Sequence, residues 1–98
     1  MSYFVFDTKP PIISIESVSP KSVPVGVPYP ITIKLKCDDA STCTITNEIV
    51  KNTIIYVGTN KNTSSYVTNY DNATLTIYIT VNSQTTGKIM IIIPPNAI

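Results

Sequence analysis

The chain has 98 residues, which is enough for one hydrophobic core but not two, so we expect a single domain over residues 1–98. Charged residues make up 13% of it and the net charge is +1, with seven Lys and no Arg, which argues against a surface that follows nucleic-acid phosphates. There is no His, the most common general base and metal ligand. The abundance of Ile, Thr, Ser and Asn, with only two Leu, favours strands over helices.

The amino-terminal third is predicted to hold two strands and a proline-rich connection. Tyr3–Phe6 is a short aromatic strand candidate that ends before two consecutive prolines, so residues 1–10 are an edge strand or a linker. Ile12–Val18 alternates apolar and polar residues and predicts the first strand of a sandwich. Ser19–Pro30 contains four prolines and is therefore an edge or a connection. Three of its valines are expected to face the core: Val23, Val25 and Val27.

The middle of the chain contains the clearest half-buried strand. Ile31–Lys36 alternates strictly, with three apolar residues on one face. Thr44–Val50 and Thr53–Val57 are weaker strand candidates that are expected to form a hairpin. Gly58–Ser65 is predicted to be a polar loop.

The carboxy-terminal third predicts three further strands. Tyr66–Tyr70 is a short strand candidate, and Ala73–Asn82 alternates longest, as a central strand packed on one side would. Lys88–Ile93 is apolar on both faces, so its second face needs cover from a neighbour, a partner chain or Tyr3–Phe6. The whole pattern predicts an all-β, two-layer antiparallel β-sandwich of seven to eight strands, immunoglobulin-like or jelly-roll.

A family resemblance rests on the first third of the chain. The stretch PIISIESVSP over Pro11–Pro20, then Val25-Gly26, then Ile31–Ile33, resembles the opening of immunoglobulin-like domains of the IPT/TIG type. In those domains a proline-led strand ends in a Ser-Pro corner, passes a glycine bend and enters a Thr-Ile strand. Val27–Pro30 stands here where a second glycine is usual. The resemblance implies an immunoglobulin-like sandwich.

The composition also resembles a group of surface proteins. It is rich in Ile, Thr, Asn and Tyr and lacks Arg and His. In this it is similar to appended domains of surface-layer, pilus and virion spike or turret proteins of hyperthermophilic archaea and their viruses. This likeness implies an appended domain located on a virion or outside a cell, and the lack of a recognisable signal peptide fits either a domain excised from a larger protein or a virion component assembled inside the cell. No long apolar segment or signal peptide is recognisable, so we expect no membrane insertion.

The two cysteines stand six residues apart around a polar segment. A disulfide between Cys37 and Cys43 would close a short loop and contribute roughly 2 to 3 kcal/mol on the chain-entropy model. The alternative is two free thiols at neighbouring strand ends. A zinc site would need two further ligands, and without His we expect no metal or cofactor there.

Carboxylates offer a candidate calcium site. Asp38, Asp39 and Asp71 could meet at one end of a sandwich and provide oxygen ligands, although their spacing fits no known calcium loop. The alternative is that each carboxylate caps its own turn. Neither arrangement offers a nucleophile with a base or a paired acid and base, so we expect the protein not to be an enzyme.

Other side chains point to surface chemistry. Two glycosylation sequons begin at Asn62 and Asn72, and a chain this rich in Asn, Ser and Thr would also contain such triplets by chance. Tyr66, Tyr70 and Tyr78 are expected to be the most exposed of six tyrosines and are candidates for an interaction surface. The alternative is ordinary packing at sheet edges.

These observations predict a non-enzymatic structural or interaction domain of a surface assembly. Its expected partners are other subunits of the assembly, or a host-surface glycan, and not nucleic acid. The expected mechanism is strand pairing through Tyr3–Phe6 or Ile89–Ile93, which are hydrophobic and lie near the chain ends. The alternative is a carbohydrate- or ligand-binding adhesion module that uses Tyr66, Tyr70 and the Gly58–Ser65 loop.

Overall fold

The computed structural model describes residues 2–7, 13–37 and 43–94, with side chains from Ser14 onward in those ranges. Nearly all of the regular secondary structure in this part of the chain is strand, which confirms the all-β prediction. In chain order the elements are β1 (Ser2–Asp7), β2 (Ile13–Ser19), β3 (Ser22–Val23), β4 (Tyr29–Cys37), α1 (Glu48–Asn52), β5 (Ile54–Val57), β6 (Asn60–Lys61), β7 (Tyr66–Asp71), β8 (Thr76–Val81) and β9 (Lys88–Ile92). The described residues contain no helix of the length and apolarity that a membrane span requires.

The strands form two sheets. One has four strands in the order β2-β4-β8-β7, and the other has five in the order β3-β1-β9-β5-β6. All the pairings are antiparallel except that of β1 with β9, which run parallel. Buried residues from both sheets form one core cluster. The sandwich prediction is therefore confirmed, with one parallel pair that the sequence pattern did not predict.

The alternation of apolar and polar residues in β4 and β8 places one face of the four-stranded sheet against the core. Ile31 pairs with Ile79 and Ile33 with Ile77, and all four side chains are buried. Because successive strand residues face opposite sides, the Thr, Pro and Tyr residues between them point outward. Burying each Ile contributes roughly 1.5 to 3 kcal/mol, so a one-residue slip in this register would be costly.

The last strand is an interior strand of the five-stranded sheet. β9 lies between β1 and β5, with Ile89, Ile91 and Ile93 fully buried and Met90 and Ile92 half-buried. β1 and β5 pair with the two edges of β9 in the same sheet. Cover for its second face, where Met90 and Ile92 are half-buried, stays a prediction. The expected role of β9 as a free edge is wrong, since both of its edges are paired.

The region between Thr44 and Val50 is not a strand, and the expected hairpin with Thr53–Val57 does not form. Residues 43–46 are irregular and α1 follows. Ile45 in the irregular segment and Ile49 in α1 are nonetheless both buried. Thr46 Oγ1 accepts a hydrogen bond from the backbone N–H of Glu48, and Thr53 Oγ1 donates one to the carbonyl of Ile49.

The proline-rich segment turns its later valines outward. Val23 is buried as predicted, but Val25 and Val27 are 37% and 48% exposed. Gly26, between them, has a φ of +90° and donates a backbone hydrogen bond to Ser83 at 2.8 Å. The chain bends at this glycine, so the period-two alternation stops there.

Two boundaries differ from the sequence pattern. β8 begins at Thr76 because Leu75, with a φ of +50°, closes a turn over residues 72–75. The predicted loop Gly58–Ser65 contains a tight hairpin, in which Tyr56 pairs with Lys61 and Val57 with Asn60. Gly58 has a φ of +62° in this turn, a conformation that suits glycine.

Candidate interaction surface

The outward side of the four-stranded sheet carries two exposed tyrosines. Tyr66 is 57% exposed and pairs with Thr80, whereas Tyr78 is 37% exposed and pairs with Asn69. The two tyrosines are therefore diagonal neighbours on adjacent strands, close enough for aromatic side chains to act together. We call the surface around them the tyrosine face, and it consists of Ser19, Pro30, Thr32, Tyr66, Asn69, Tyr78 and Thr80.

The tyrosine face carries no charge. Charged groups begin in the next row of the sheet, where Lys34 Nζ lies 3.7 Å from a carboxylate oxygen of Glu16. Both side chains are about half exposed, so this ion pair is screened by water and adds little stability. Aromatic residues without nearby charge are typical of the centre of a protein interface.

A β-bulge separates Tyr70 from the other two tyrosines. The β7–β8 register shifts between Val67 and Asn69, so Thr68 is an extra residue and the side-chain alternation reverses beyond it. Tyr70 consequently turns inward, is half-buried against the core, and donates a hydrogen bond from its hydroxyl to Asn47 Oδ1 at 3.3 Å. The expectation that Tyr70 is exposed beside Tyr66 is wrong.

The side chain of Asn62 organises the chain after the β5–β6 hairpin. Its Oδ1 accepts hydrogen bonds from the backbone N–H groups of Ser64 and Ser65, and its Nδ2 donates one to the carbonyl of Asn82 at 3.0 Å. Asn62 also lines a polar cleft of about 450 Å³ at the end of β5, with Lys51, Asn52, Thr53, Ile54, Ile55, Lys61, Thr63 and Ser65. The sequon at Asn62 therefore begins at a residue with a structural role, and its glycosylation stays a prediction.

The second sequon asparagine bridges two distant parts of the chain. Asn72 Oδ1 accepts a hydrogen bond from the backbone N–H of Ile45 at 2.6 Å, and Asn72 Nδ2 donates one to the carbonyl of the same residue at 3.1 Å. This pair of bonds fixes the irregular segment before α1 against the turn after β7. Glycosylation of Asn72 also stays a prediction.

The candidate calcium ligands are only partly within the described residues. Asp71 caps its own turn, since its Oδ1 accepts a hydrogen bond from the backbone N–H of Ala73 at 2.9 Å. Asp38 and Asp39 lie outside the described residues. Within the described part of the chain there is no group of three potential metal ligands.

The disulfide prediction is confirmed. Cys37, the last residue of β4, is bonded to Cys43, with their Cα atoms 6.5 Å apart. Cys43 is buried at the end of the loop that the bond closes. The bond therefore holds the start of the irregular segment 43–46 next to the four-stranded sheet.

The first strand is inserted between two strands of the five-stranded sheet. On one side β1 pairs with β9 in parallel along Tyr3 to Asp7. On the other side, among the described residues, it pairs with β3 only at Ser2 and Tyr3. The sequence predicted the strand but not its parallel direction or its place beside β9.

Comparison with known proteins returns no relative: no protein-family model, no curated protein and no solved structure matches this chain. The candidate surfaces therefore rest on the chain's own geometry.

Several members of the tyrosine face were not singled out from the sequence. Strand register places Thr32, Asn69 and Thr80 beside the tyrosines. Register cannot be read from a single sequence. A usable signal was nevertheless present. Thr32 and Thr80 alternate with buried Ile residues along the two clearest strands, so the pattern itself predicts that both face outward.

Proposed function

We propose that this chain is a non-enzymatic structural or interaction domain that contacts neighbouring subunits of a surface or virion assembly through the tyrosine face. The observation that carries the proposal is that two exposed tyrosines lie close together among uncharged residues on the outer face of the four-stranded sheet. Tyrosine provides contact area at low entropic cost, and the surrounding hydroxyl and amide groups can pair with a partner.

An immunoglobulin-like identity for the sandwich is part of this proposal. Immunoglobulin-like domains have one sheet in the order A-B-E-D and a second sheet with F between C and G. The order β2-β4-β8-β7 corresponds to A-B-E-D, and β5 and β9 correspond to C and F. β1 occupies the place of G, although a G strand joined to F by a hairpin would run antiparallel to it.

A location outside a cell or on a virion is supported by the disulfide. Bonds such as Cys37–Cys43 form and persist mainly in oxidising surroundings. A chain with few charges and many Thr, Ser and Asn residues is also similar in composition to surface-layer, pilus and spike domains.

The second candidate is a carbohydrate-binding adhesion module on the same surface. Tyr66 presents more than half of its side chain to solvent, and an aromatic ring beside hydroxyl groups suits the apolar and polar faces of a sugar. Tyr70 is removed from this candidate because it turns inward, and the hairpin within Gly58–Ser65 belongs to the other sheet. Tyr66 and Tyr78 are then the residues that would contact the glycan.

The proposal is tested by light scattering of the full chain over a concentration series. We expect particles heavier than the 10.7 kDa monomer at high concentration, and we expect the double substitution Tyr66→Ser/Tyr78→Ser to weaken their association at least tenfold. Tyr29→Ser is the matched control, because Tyr29 is similarly exposed but pairs with the buried Val81 and so belongs to the inward-facing set.

Two results would count against the proposal. One is a chain that stays monomeric at every concentration, and the other is association that Tyr29→Ser weakens as much as the double substitution does. A glycan array separates the second candidate: binding that disappears in the double variant of a monomeric chain would favour the adhesion module.

A further inference from the structure

The first strand is held in the fold by pairing with a strand at the far end of the chain. A tight turn joins β5 to β6, and the residue 72–75 turn joins β7 to β8, so each of these strands is close in sequence to its partner. β1 instead pairs with β9, from which it is separated by nearly the whole chain, and it does so in parallel. No local connection therefore ties β1 to the strand that it lies against.

The strand next to β1 cannot be left without a partner at low cost. Ile89 and Ile91 of β9 are fully buried, and they pair with Phe4 and Phe6 of β1 in the sheet register. Withdrawing β1 would expose the main-chain N–H and C=O groups along that edge of β9, beside the apolar core. The position beside β9, which we call the β1 slot, must therefore be filled by a strand.

The only covalent link between β1 and the rest of the sandwich is the segment 8–12. It contains Pro10-Pro11. If β1 moved to another molecule, its pairs with β9 and with β3 could form again in the same register.

We propose that the β1 slot of one molecule accepts β1 of a second copy of this chain, so that copies are joined by strand exchange. The structure identifies the segment that fills the slot, because Ser2–Asp7 already lies there in a defined register. Main-chain ladder bonds would provide the affinity, as in other proteins that complete a sheet with a donated strand. The inference concerns the five-stranded sheet and does not depend on the tyrosine face.

Concentration controls which molecule provides the strand. The tether 8–12 gives a molecule's own β1 a high effective concentration at its slot, so the closed monomer is favoured in dilute solution. In an assembly, where copies are crowded, a neighbour's strand competes, and exchange of an identical element costs little because the same bonds are made. Each copy has one strand and one slot, so exchange yields either closed dimers or longer chains.

The experiment uses pairs of introduced cysteines in the full chain. Val5 and Met90 are register partners in β1 and β9, so cysteines there can form a disulfide only when the strand occupies the slot. Val5→Cys is made in a tagged chain and Met90→Cys in an untagged chain. The two are mixed at high concentration in a glutathione redox buffer and analysed by non-reducing electrophoresis and by mapping of the linked peptides.

The proposal predicts a mixed dimer linked between positions 5 and 90, at a yield that rises with concentration. We expect this yield to exceed by at least tenfold that of a control mixture in which Val50→Cys, exposed on α1 and outside both proposed surfaces, replaces Met90→Cys. The double variant Val5→Cys/Met90→Cys in one chain should form the link internally in dilute solution, which shows that β1 fits its own slot.

Two results would overturn the proposal. If the double variant forms its internal link but the mixture gives no 5–90 dimer above the control, β1 stays in its own molecule. If neither experiment gives a 5–90 link, β1 does not occupy the slot at all. Association that the Tyr66→Ser/Tyr78→Ser substitution weakens could persist in either case, so failure of strand exchange is distinguishable from failure of the proposed function.

Discussion

At the scale of single residues, Asn72 shows how one polar side chain can determine the course of an irregular segment. Both of its amide atoms bond to the backbone of Ile45, whose side chain is buried. A buried backbone N–H and C=O need partners, and here no sheet ladder provides them. Asn72 supplies both, which allows residues 43–46 to pass beside the core without becoming a strand.

The substitution Asn72→Ala should therefore destabilise the fold. It removes both hydrogen bonds and leaves two backbone groups of Ile45 with poorer partners, for an expected loss of about 1–3 kcal/mol in the free energy of unfolding. For a domain of this size that loss corresponds to a fall in Tm of roughly 4–8 °C per kcal/mol. Thermal unfolding followed by circular dichroism measures it.

Asn69→Ala is the matched control for this substitution. Asn69 makes a local, exposed hydrogen bond to the backbone N–H of the next residue, Tyr70, so its loss should change the free energy of unfolding by less than about 0.5 kcal/mol. Equal effects of the two substitutions would contradict the role assigned to Asn72.

The sequence could not have predicted that role. The sequence identifies Asn72 only as the start of a sequon, which depends on its immediate neighbours. Its bond to Ile45 spans 27 residues and depends on where two loops meet in space. The inward orientation of Tyr70 could not be predicted for a similar reason. The bulge at Thr68 that turns it inward is not visible in the period-two pattern of the sequence.

At the scale of elements, strands with strict alternation were predictable and the weakly patterned segments were not. β4 and β8 lie where Ile31–Lys36 and Ala73–Asn82 indicated, because one face of each strand packs on the core. α1 was missed because Ile45 and Ile49, four residues apart, fit both a strand and a helical turn. Only tertiary contacts separate those two interpretations.

The disulfide joins one such predictable element to the unpredicted segment. Replacing both cysteines, Cys37→Ala/Cys43→Ala, should lower the free energy of unfolding by roughly 2 kcal/mol, the loop-closure entropy expected for so short a loop. Denaturant unfolding with and without a reducing agent measures the change. The reducing agent should lower the stability of the original chain and leave that of the double variant unaltered.

Unchanged stability of the double variant would contradict this role of the disulfide. If the double variant were as stable as the oxidised original chain, the bond would contribute no net stability, and β4 would need no covalent connection to residues 43–46.

At the scale of the whole molecule, the alternation of apolar residues determined the sandwich but not the order of its strands. The sequence indicated that Ile89–Ile93 needs apolar cover on both of its faces. The molecule buries Ile89 and Ile91 on the core face, leaves Met90 and Ile92 half-buried on the other, and pairs both edges of β9 within the sheet. Which strand lies beside β9 depends on pairing between opposite ends of the chain. Single-sequence patterns contain no information on such distant pairing.

The two sheets also divide the interaction surfaces between them. The four-stranded sheet presents the uncharged tyrosine face, whereas the five-stranded sheet contains the β1 slot. Contacts at the first surface would bury aromatic side chains, and contacts at the second would form main-chain ladders. Because the two proposed surfaces lie on different sheets, contact at one would not block contact at the other.

The central claim is that the tyrosine face contacts neighbouring copies, and a dilution series of proton–nitrogen NMR spectra tests it most directly. With rising concentration, amide signals of the tyrosine face, such as those of Thr32, Tyr66 and Tyr78, should shift or broaden, while those of the β5–β6 hairpin stay constant. Strand exchange re-forms the same pairs between β1 and β9, so it would not imitate changes confined to the tyrosine face. Spectra in which the signals of the tyrosine face stay constant over the whole series would contradict the claim.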